Sequence, residues 1–280
     1  MTRVLLLGVT GMLGAMVGRV LNAQPELELA TADRARFDAR DDDPRALLEA
    51  VEPDWIVNAI GLTKPHIDSG SADSVAAALD VNARFPFALA EAARLHGARV
   101  IQIATDGVFS GQTGGYREDA PHDALDVYGK SKSLGEVPAA NVSHLRCSIV
   151  GPGDASLLAW LLAQPRGARV PGYTDHVWNG VTTWHFGALC AAIAREGLEL
   201  PSPLHVVPDG TVTKAELVEL LARTFGRDDL EIERQAAPAA VDRSLGTRYP
   251  DANAALWSAA GYDAPPSVAE MVEELGRQII

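Results

Sequence analysis

The sequence predicts an α/β fold, a doubly wound parallel sheet with a small C-terminal lobe. Three observations predict it. Short apolar runs alternate with longer amphipathic stretches through the first 150 residues, the pattern of strands feeding crossover helices. No hairpin-type turn separates successive runs, so neighbouring strands run parallel. A glycine-rich turn, Gly8-Val9-Thr10-Gly11-Met12-Leu13-Gly14, follows the first apolar run and opens the first amphipathic stretch.

The elements follow in order. Residues 3–8 form an apolar run suited to a strand buried on both faces. In 12–22, Leu13, Met16, Val17, Val20 and Leu21 lie on one helical stripe. Residues 27–31 read as a second strand. Asp43 followed by Pro44 starts a helix over 44–51. A third strand covers 55–60. The Ala-rich stretch 74–96 reads as one long helix, stopped by Gly97. A fourth strand is expected at 99–104, a helix at 128–137 and a fifth strand at 142–150. Beyond Gly151-Pro152-Gly153 the pattern is less regular. Helices are expected at 155–163, 183–195, 213–225 and 268–277, and a strand at 204–207. Thr213 and Glu216 form a capping-box pair at the start of the third of these helices. The expected division is a dinucleotide-binding domain over 1–150 and a mainly substrate-binding lobe over 151–280, partly interleaved with it.

Composition narrows the function. The net charge of −13 offers no basic face for nucleic acid and would be repelled by an anionic membrane surface. No run of 18 apolar residues exists, and Gly8, Gly11, Gly14 and Gly18 interrupt the N-terminal one. Cys147 and Cys190 sit in apolar contexts and read as buried free thiols, so a cytoplasmic location is expected. The seven histidines make no ligand-like cluster with each other or with cysteine, so no metal is expected.

Three motifs carry chemistry. The first is the glycine turn. Helix N-terminal amides and backbone bare of side chains suit a pyrophosphate, which makes Gly8, Gly11, Met12, Leu13 and Gly14 dinucleotide-binding candidates. The spacing is G-x-x-G-x-x-G. The second lies after the second strand, where Asp33 would favour a free ribose 2′-hydroxyl and Arg34 and Arg36 a 2′-phosphate. Both signals are present, so NADPH and NADH stay open, with a lean to NADPH. Asp38 is a candidate acceptor for the adenine amino group. The third is Tyr128-Gly129-Lys130-Ser131-Lys132. Tyr128 and Lys132 share a helix face, and a lysine there would lower the phenol from its ordinary value near ~10. Thr105 supplies a hydroxyl at the carboxyl end of the fourth strand, where doubly wound folds place ligands. Lys64 and Trp178-Asn179 are candidate substrate contacts on loops.

These pieces in this order resemble the extended short-chain dehydrogenase/reductases. Asn58-Ala59-Ile60-Gly61, Val81-Asn82 and Tyr128-x-x-x-Lys132-x-x-x-Glu136 extend the likeness. Ala104-Thr105-Asp106-Gly107-Val108-Phe109-Ser110-Gly111, Leu145-to-Gly151 and, more loosely, Asn179-to-Thr183 resemble the dTDP-4-dehydrorhamnose reductases and related sugar-nucleotide 4-keto reductases. The resemblance implies a Rossmann-type domain and NAD(P)H-dependent reduction of a 4-keto group on a nucleotide-linked deoxysugar. It implies proton donation by Tyr128, with Thr105 and Lys132 as partners. It adds Asn58, Ala59, Gly61 and Asn82 to the cofactor site and Val108 and Phe109 to the substrate site. The partners expected are a nucleotide-sugar substrate and a second copy of the chain in a homodimer. Gly107 replaces the family's usual aromatic residue, which would enlarge the pocket. A sugar-nucleotide epimerase and a non-catalytic NAD(P)-binding regulatory subunit are the rival readings.

Overall fold

A computed structural model describes residues 1–279. Its elements are β1 (Thr2–Leu7), α1 (Met12–Asn22), β2 (Leu27–Ala32), α2 (Pro44–Val51), β3 (Trp55–Asn58), α3 (Ala72–Leu79), α4 (Phe85–Leu95), β4 (Arg99–Thr105), α5 (Val127–Leu134), β5 (Val142–Cys147) and β6 (Ile149–Val150). There follow α6 (Leu157–Leu162), β7 (Arg169–Tyr173), β8 (His176–Trp178), β9 (Val181–Thr182), α7 (Thr183–Glu196), β10 (Leu204–His205), β11 (Val212–Thr213), α8 (Lys214–Thr224), β12 (Glu231–Gln235), β13 (Val241–Asp242), α9 (Pro250–Ala259) and α10 (Val268–Ile279).

The main sheet runs β10-β5-β4-β3-β1-β2, and every pairing in it is parallel. Its strand order reverses at β1, whose neighbours are β2 and β3. The crevice beyond the carboxyl ends of β1 and β3 is where such sheets hold ligands. Both faces are covered, as the apolar runs require. Val4 and Leu6 enter one core and Leu5 and Leu7 the other, all four fully buried. The first core also takes in α7 and α8. β10, from the C-terminal half, completes the edge of the sheet beside β5.

Local chemistry sets the helix starts. The Asp43 side chain accepts from Arg45 N ahead of Pro44, and Thr213 and Glu216 close the expected capping box. Two expectations are corrected. The helix expected at 74–96 is α3 and α4 joined by a π-helical turn, Asp80–Arg84, which turns Asn82 into the protein. The single strand expected at 142–150 breaks at Ser148. β6 leaves the main sheet there to pair with β9, and the Val181 amide bonds the Ser148 carbonyl. The C-terminal lobe also contains short strands that no apolar run marks. β7 pairs with β12, and β8 with β11 and β13.

Candidate active site

The glycine turn lies at the carboxyl end of β1. Gly8 has φ +82°, and a β-carbon there would sit 2.9 Å from Ala59 C and Ile60 N, so the turn closes directly on the loop after β3. A β-carbon at Gly14 would overlap the Gly8 carbonyl, so α1 starts tight against the turn. Gly11 differs: a β-carbon there would meet only Gly8 O, at 3.5 Å. Gly11 is the N-cap of α1 and has no side chain to cap the first amides. An open face over uncapped amides fits a pyrophosphate. Met12 and Leu13 flank it, Met12 against Gly153 and Leu13 in the core.

The loop after β3 joins this turn to the helix pair. Asn58, fully buried, donates to Gln102 Oε1 at 2.8 Å and accepts from Ile60 N at 3.1 Å, which fixes Ala59–Gly61. Asn82 accepts from Leu62 N at 2.8 Å and donates to Leu62 O and Ser131 Oγ. Gly61 lies against the Asn82 amide oxygen. The structure therefore brings Gly8, Ala59–Gly61, Asn82 and α5 together.

At the end of β2, Arg34 is exposed and its Nε donates to Asp38 Oδ2 at 2.8 Å. Asp38 Oδ1 accepts from Arg40 N, and these contacts hold its carboxyl below the ordinary value. Both Asp38 oxygens are thereby engaged within the loop. The Arg36 guanidinium is turned back onto Thr31 O.

Tyr128 sits in the first turn of α5, capped by Asp126, beside Thr105 at the end of β4. Thr105 Oγ1 accepts from Gly107 N at 3.0 Å and donates to Asp106 Oδ1 at 3.3 Å. Burial, with Asp106 and Asp126 nearby, pushes the phenol up to about 12, and the Thr105 hydroxyl only partly opposes this. The expected net lowering of the phenol is corrected: burial outweighs what opposes it, and the phenol is held protonated. Lys132 is buried, donates from Nζ to Ile103 O at 2.9 Å, and is pushed down to about 8 by burial, with Glu136 opposing.

Gly107 does not open a pocket as expected. A β-carbon there would lie 2.9 Å from Tyr128 Cε1 and 3.2 Å from Thr105 Oγ1, so the ring fills that space. Val108 and Phe109, expected at the substrate, are fully buried instead. Phe109 stacks on Tyr116 with ring centroids 4.3 Å apart and lies under the Arg146 guanidinium, a small core of its own. Asn179 is likewise a clamp, donating to Leu245 O at 2.7 Å and accepting from Leu245 N at 2.9 Å. Lys64 is exposed and pairs with Asp126 at 2.8 Å.

A cavity of about 230 Å³ adjoins Asp106, lined also by Ser148, Trp178, His176, Lys214 and Arg243. Trp178 Nε1 donates to Ser148 Oγ at 2.8 Å, so the indole forms a fixed wall. Asp106, Lys214 and Arg243 were not singled out from the sequence. Lys214 and Arg243 arrive from distant segments with no motif around them. Asp106 lies in the same motif as Thr105, with no spacing of its own to mark it. Burial raises Asp106 against the pull of Arg243, and burial lowers Lys214 against the pull of Asp106.

A dTDP-4-dehydrorhamnose reductase of Streptomyces griseus is 27% identical over 275 residues, covering 93% of this chain and 88% of that one. One of Aggregatibacter actinomycetemcomitans is 33% identical over 138 residues, covering 49% of this chain and 46% of its own; this chain thus matches about half the length of that relative. The solved dTDP-4-dehydrorhamnose reductase of Bacillus anthracis, in complex with NADP, superposes with a TM-score of 0.83 over 100% of both chains at 18% identity, a likeness of fold. The family model described as the RmlD substrate binding domain matches residues 1–153 of the 280. With that match spanning β1 through β6 and the glycine turn, Thr105, Tyr128 and Lys132 all inside it, the chain belongs to the RmlD substrate binding domain family.

Proposed function

We propose that the protein is an NAD(P)H-dependent oxidoreductase that reduces the 4-keto group of a dTDP-linked 6-deoxysugar; its relatives are named dTDP-4-dehydrorhamnose reductases. The observation that carries this reading is the buried phenol of Tyr128, held protonated near the Thr105 hydroxyl at the carboxyl end of β4, where the next residue, Asp106, borders the cavity. NAD(P)H supplies a hydride to a ketone carbon when bound. Gly8, Gly11 and the first amides of α1 would hold its pyrophosphate, Arg34 its adenosine end, and Asn58, Ala59, Gly61 and Asn82 the wall between.

Tyr128 gives its proton to the ketone oxygen as negative charge develops there. Thr105 offers a hydrogen bond to the same oxygen. The buried Lys132 ammonium stabilises the phenolate left behind. Trp178, Lys214 and Arg243 line the space for the sugar and its phosphates, two cations suiting a dianion in an otherwise acidic protein.

The test is NADPH and NADH oxidation with dTDP-4-dehydrorhamnose and with UDP-linked 4-keto sugars. Turnover with the dTDP substrate is expected, with Tyr128→Phe slower by roughly 10²–10⁴-fold at unchanged NADPH affinity. Tight NADPH binding without any turnover would favour the non-catalytic regulatory reading.

A further inference from the structure

Glu136 and Arg146 belong to the motifs around the site and have no part in the chemistry above. Arg146, on β5, is fully buried. Its Nε donates to Glu136 Oε1 at 3.1 Å, and its Nη2 donates to Glu136 Oε2. Nη1 donates to His205 Nε2 at 2.7 Å, and Nη2 donates to His122 Nε2 at 2.9 Å. Glu136 stands just past the end of α5, the helix of Tyr128 and Lys132. The other nitrogen of the His122 ring, Nδ1, lies 2.7 Å from Ser133 Oγ, also on α5. The C-terminal half of α5 is therefore fastened to β5 twice, directly through Glu136 and across the His122 ring through Ser133.

We propose that His122 is a positioning residue for Tyr128: its neutral ring ties α5 to Arg146, and protonation of the ring releases that tie. This rests on the reductase reading above. The hydrogen bonds fix the state of the ring. A guanidinium has donors only, so His122 Nε2 accepts, and the single proton of the neutral ring sits on Nδ1 and goes to Ser133 Oγ. A second proton on Nε2 would point at Arg146. The nearest alternative acceptor is Glu136 Oε2 at 3.7 Å, and Arg146 already holds that oxygen. The charged ring must leave Arg146 or draw Glu136 away from it, and either change loosens α5. The charged groups facing His122 are Glu136 from beyond α5, Arg146 from β5 and Asp123 beside it in its own loop; Ser133 and the Phe109 ring, edge-on at 5.6 Å, complete its surroundings. Burial lowers the ring from its ordinary 6.5 and Arg146 adds to this, with Glu136 and Asp123 opposing. The His122 side chain is 24% exposed, so water can deliver the proton. The same loop leads into Asp126, whose side chain caps α5 by accepting from Gly129 N, so a displaced His122 disturbs both ends of the helix.

In His122→Gln the amide oxygen can take the place of Nε2 as the acceptor for Arg146, and it does not titrate. Under saturating NADPH and dTDP-4-dehydrorhamnose, wild-type kcat is expected to fall roughly 10- to 100-fold as His122 takes up its second proton, the cost of a small misplacement of the acid. His122→Gln should match wild type at pH 7 and lack this acid limb. His122→Ala, with neither bond, should be slow by a similar factor at every pH. Circular dichroism at each pH confirms the fold. Independently of turnover, the ring nitrogen shifts of His122 in the cofactor-free protein should place its proton on Nδ1 at neutral pH, and the ring should titrate below 6.5, at the midpoint of the kcat limb. The wild-type acid limb retained in His122→Gln, no limb in wild type while the ring titrates, or a proton on Nε2 at neutral pH would each overturn the role of His122 alone. A wild-type protein that reduces no sugar in the panel would overturn the reductase reading and this role with it.

Discussion

The Tyr128 ring lies against Gly107 so closely that a β-carbon at 107 would stand 2.9 Å from Cε1. The contact is reinforced from the helix side, because a β-carbon at Gly129 would overlap the Gly107 carbonyl. The short turn Asp106–Val108 thus seats on the start of α5 and fixes the phenol beside Thr105. Gly107→Ala must push the ring, the Thr105 hydroxyl or both. Small misplacements of reacting groups cost up to about 10²-fold. We expect kcat to fall by about 10- to 100-fold while NADPH affinity, measured by nicotinamide fluorescence, stays the same. Wild-type kcat would show that the turn yields without moving the phenol.

At Gly11 the reverse holds. The backbone there is extended, φ −78° and ψ 164°, and an added side chain would meet nothing closer than Gly8 O at 3.5 Å. Gly11→Val should therefore fold with a wild-type melting temperature. Its isopropyl group would occupy the space over the first amides of α1, so NADPH binding should drop by on the order of 100-fold or more. Calorimetric titration of the folded variant checks this, and unchanged affinity would remove the turn from the cofactor site.

Much of this was legible because it is written locally. The glycine turn and the caps at Asp43 and Thr213 act within four residues of themselves, and they fixed the starts of α1, α2 and α8. What was not legible depends on distant partners. β7 and β12 exist by pairing with each other, Arg169 opposite Glu231, and neither has an apolar alternation of its own. The π-turn at Asp80–Arg84 obeys the same composition as the helices around it. Val108 and Phe109 sit in a motif at the site, yet Arg146 and Leu245, brought from elsewhere, bury them. The same long-range folding carries Lys214 and Arg243 to the cavity.

Stability should depend on pH through three buried histidines. Burial pushes His144, His185 and His205 down to about 4 from 6.5, chiefly by disfavouring the charged ring. Hydrogen bonding explains why the neutral form is kept at two of them. His144 Nε2 accepts from Val137 N at 3.1 Å, and His205 Nε2 faces the Arg146 guanidinium at 2.7 Å, so a proton on either nitrogen would break a bond. The folded values lie below the unfolded ones, so this stability is complete above about 6.5 and is lost as pH falls toward about 4. The slope should approach ~1.4 kcal/mol per pH unit for each ring. Urea unfolding between these limits measures it, and a flat profile would mean the rings protonate without cost.

Lys132 gives the sharpest separation of function from stability. Its ammonium is buried with one carbonyl for a partner, and its value falls from 10.5 to about 8 because burial outweighs the pull of Glu136. At pH 7 the amine is charged in both folded and unfolded chains, so the full cost of burying it is present, about 3 kcal/mol by the size of that shift. Methionine has similar length and no charge. The Ile103 carbonyl that loses the lysine still accepts from Gln102 Nε2 at 3.1 Å. Lys132→Met should therefore be more stable than wild type at pH 7, by roughly 1–3 kcal/mol. The gain should shrink as pH rises from about 8 toward 10.5, where the folded wild type has shed the proton and the burial cost is gone. Turnover should be lost in the same variant, since the phenolate of Tyr128 has no buried cation beside it, and NADPH should bind more weakly. Thermal melts at pH 7 and 10 with parallel NADPH oxidation assays read both effects. A variant less stable than wild type at pH 7 would mean that Lys132 holds the fold together as well as serving the site.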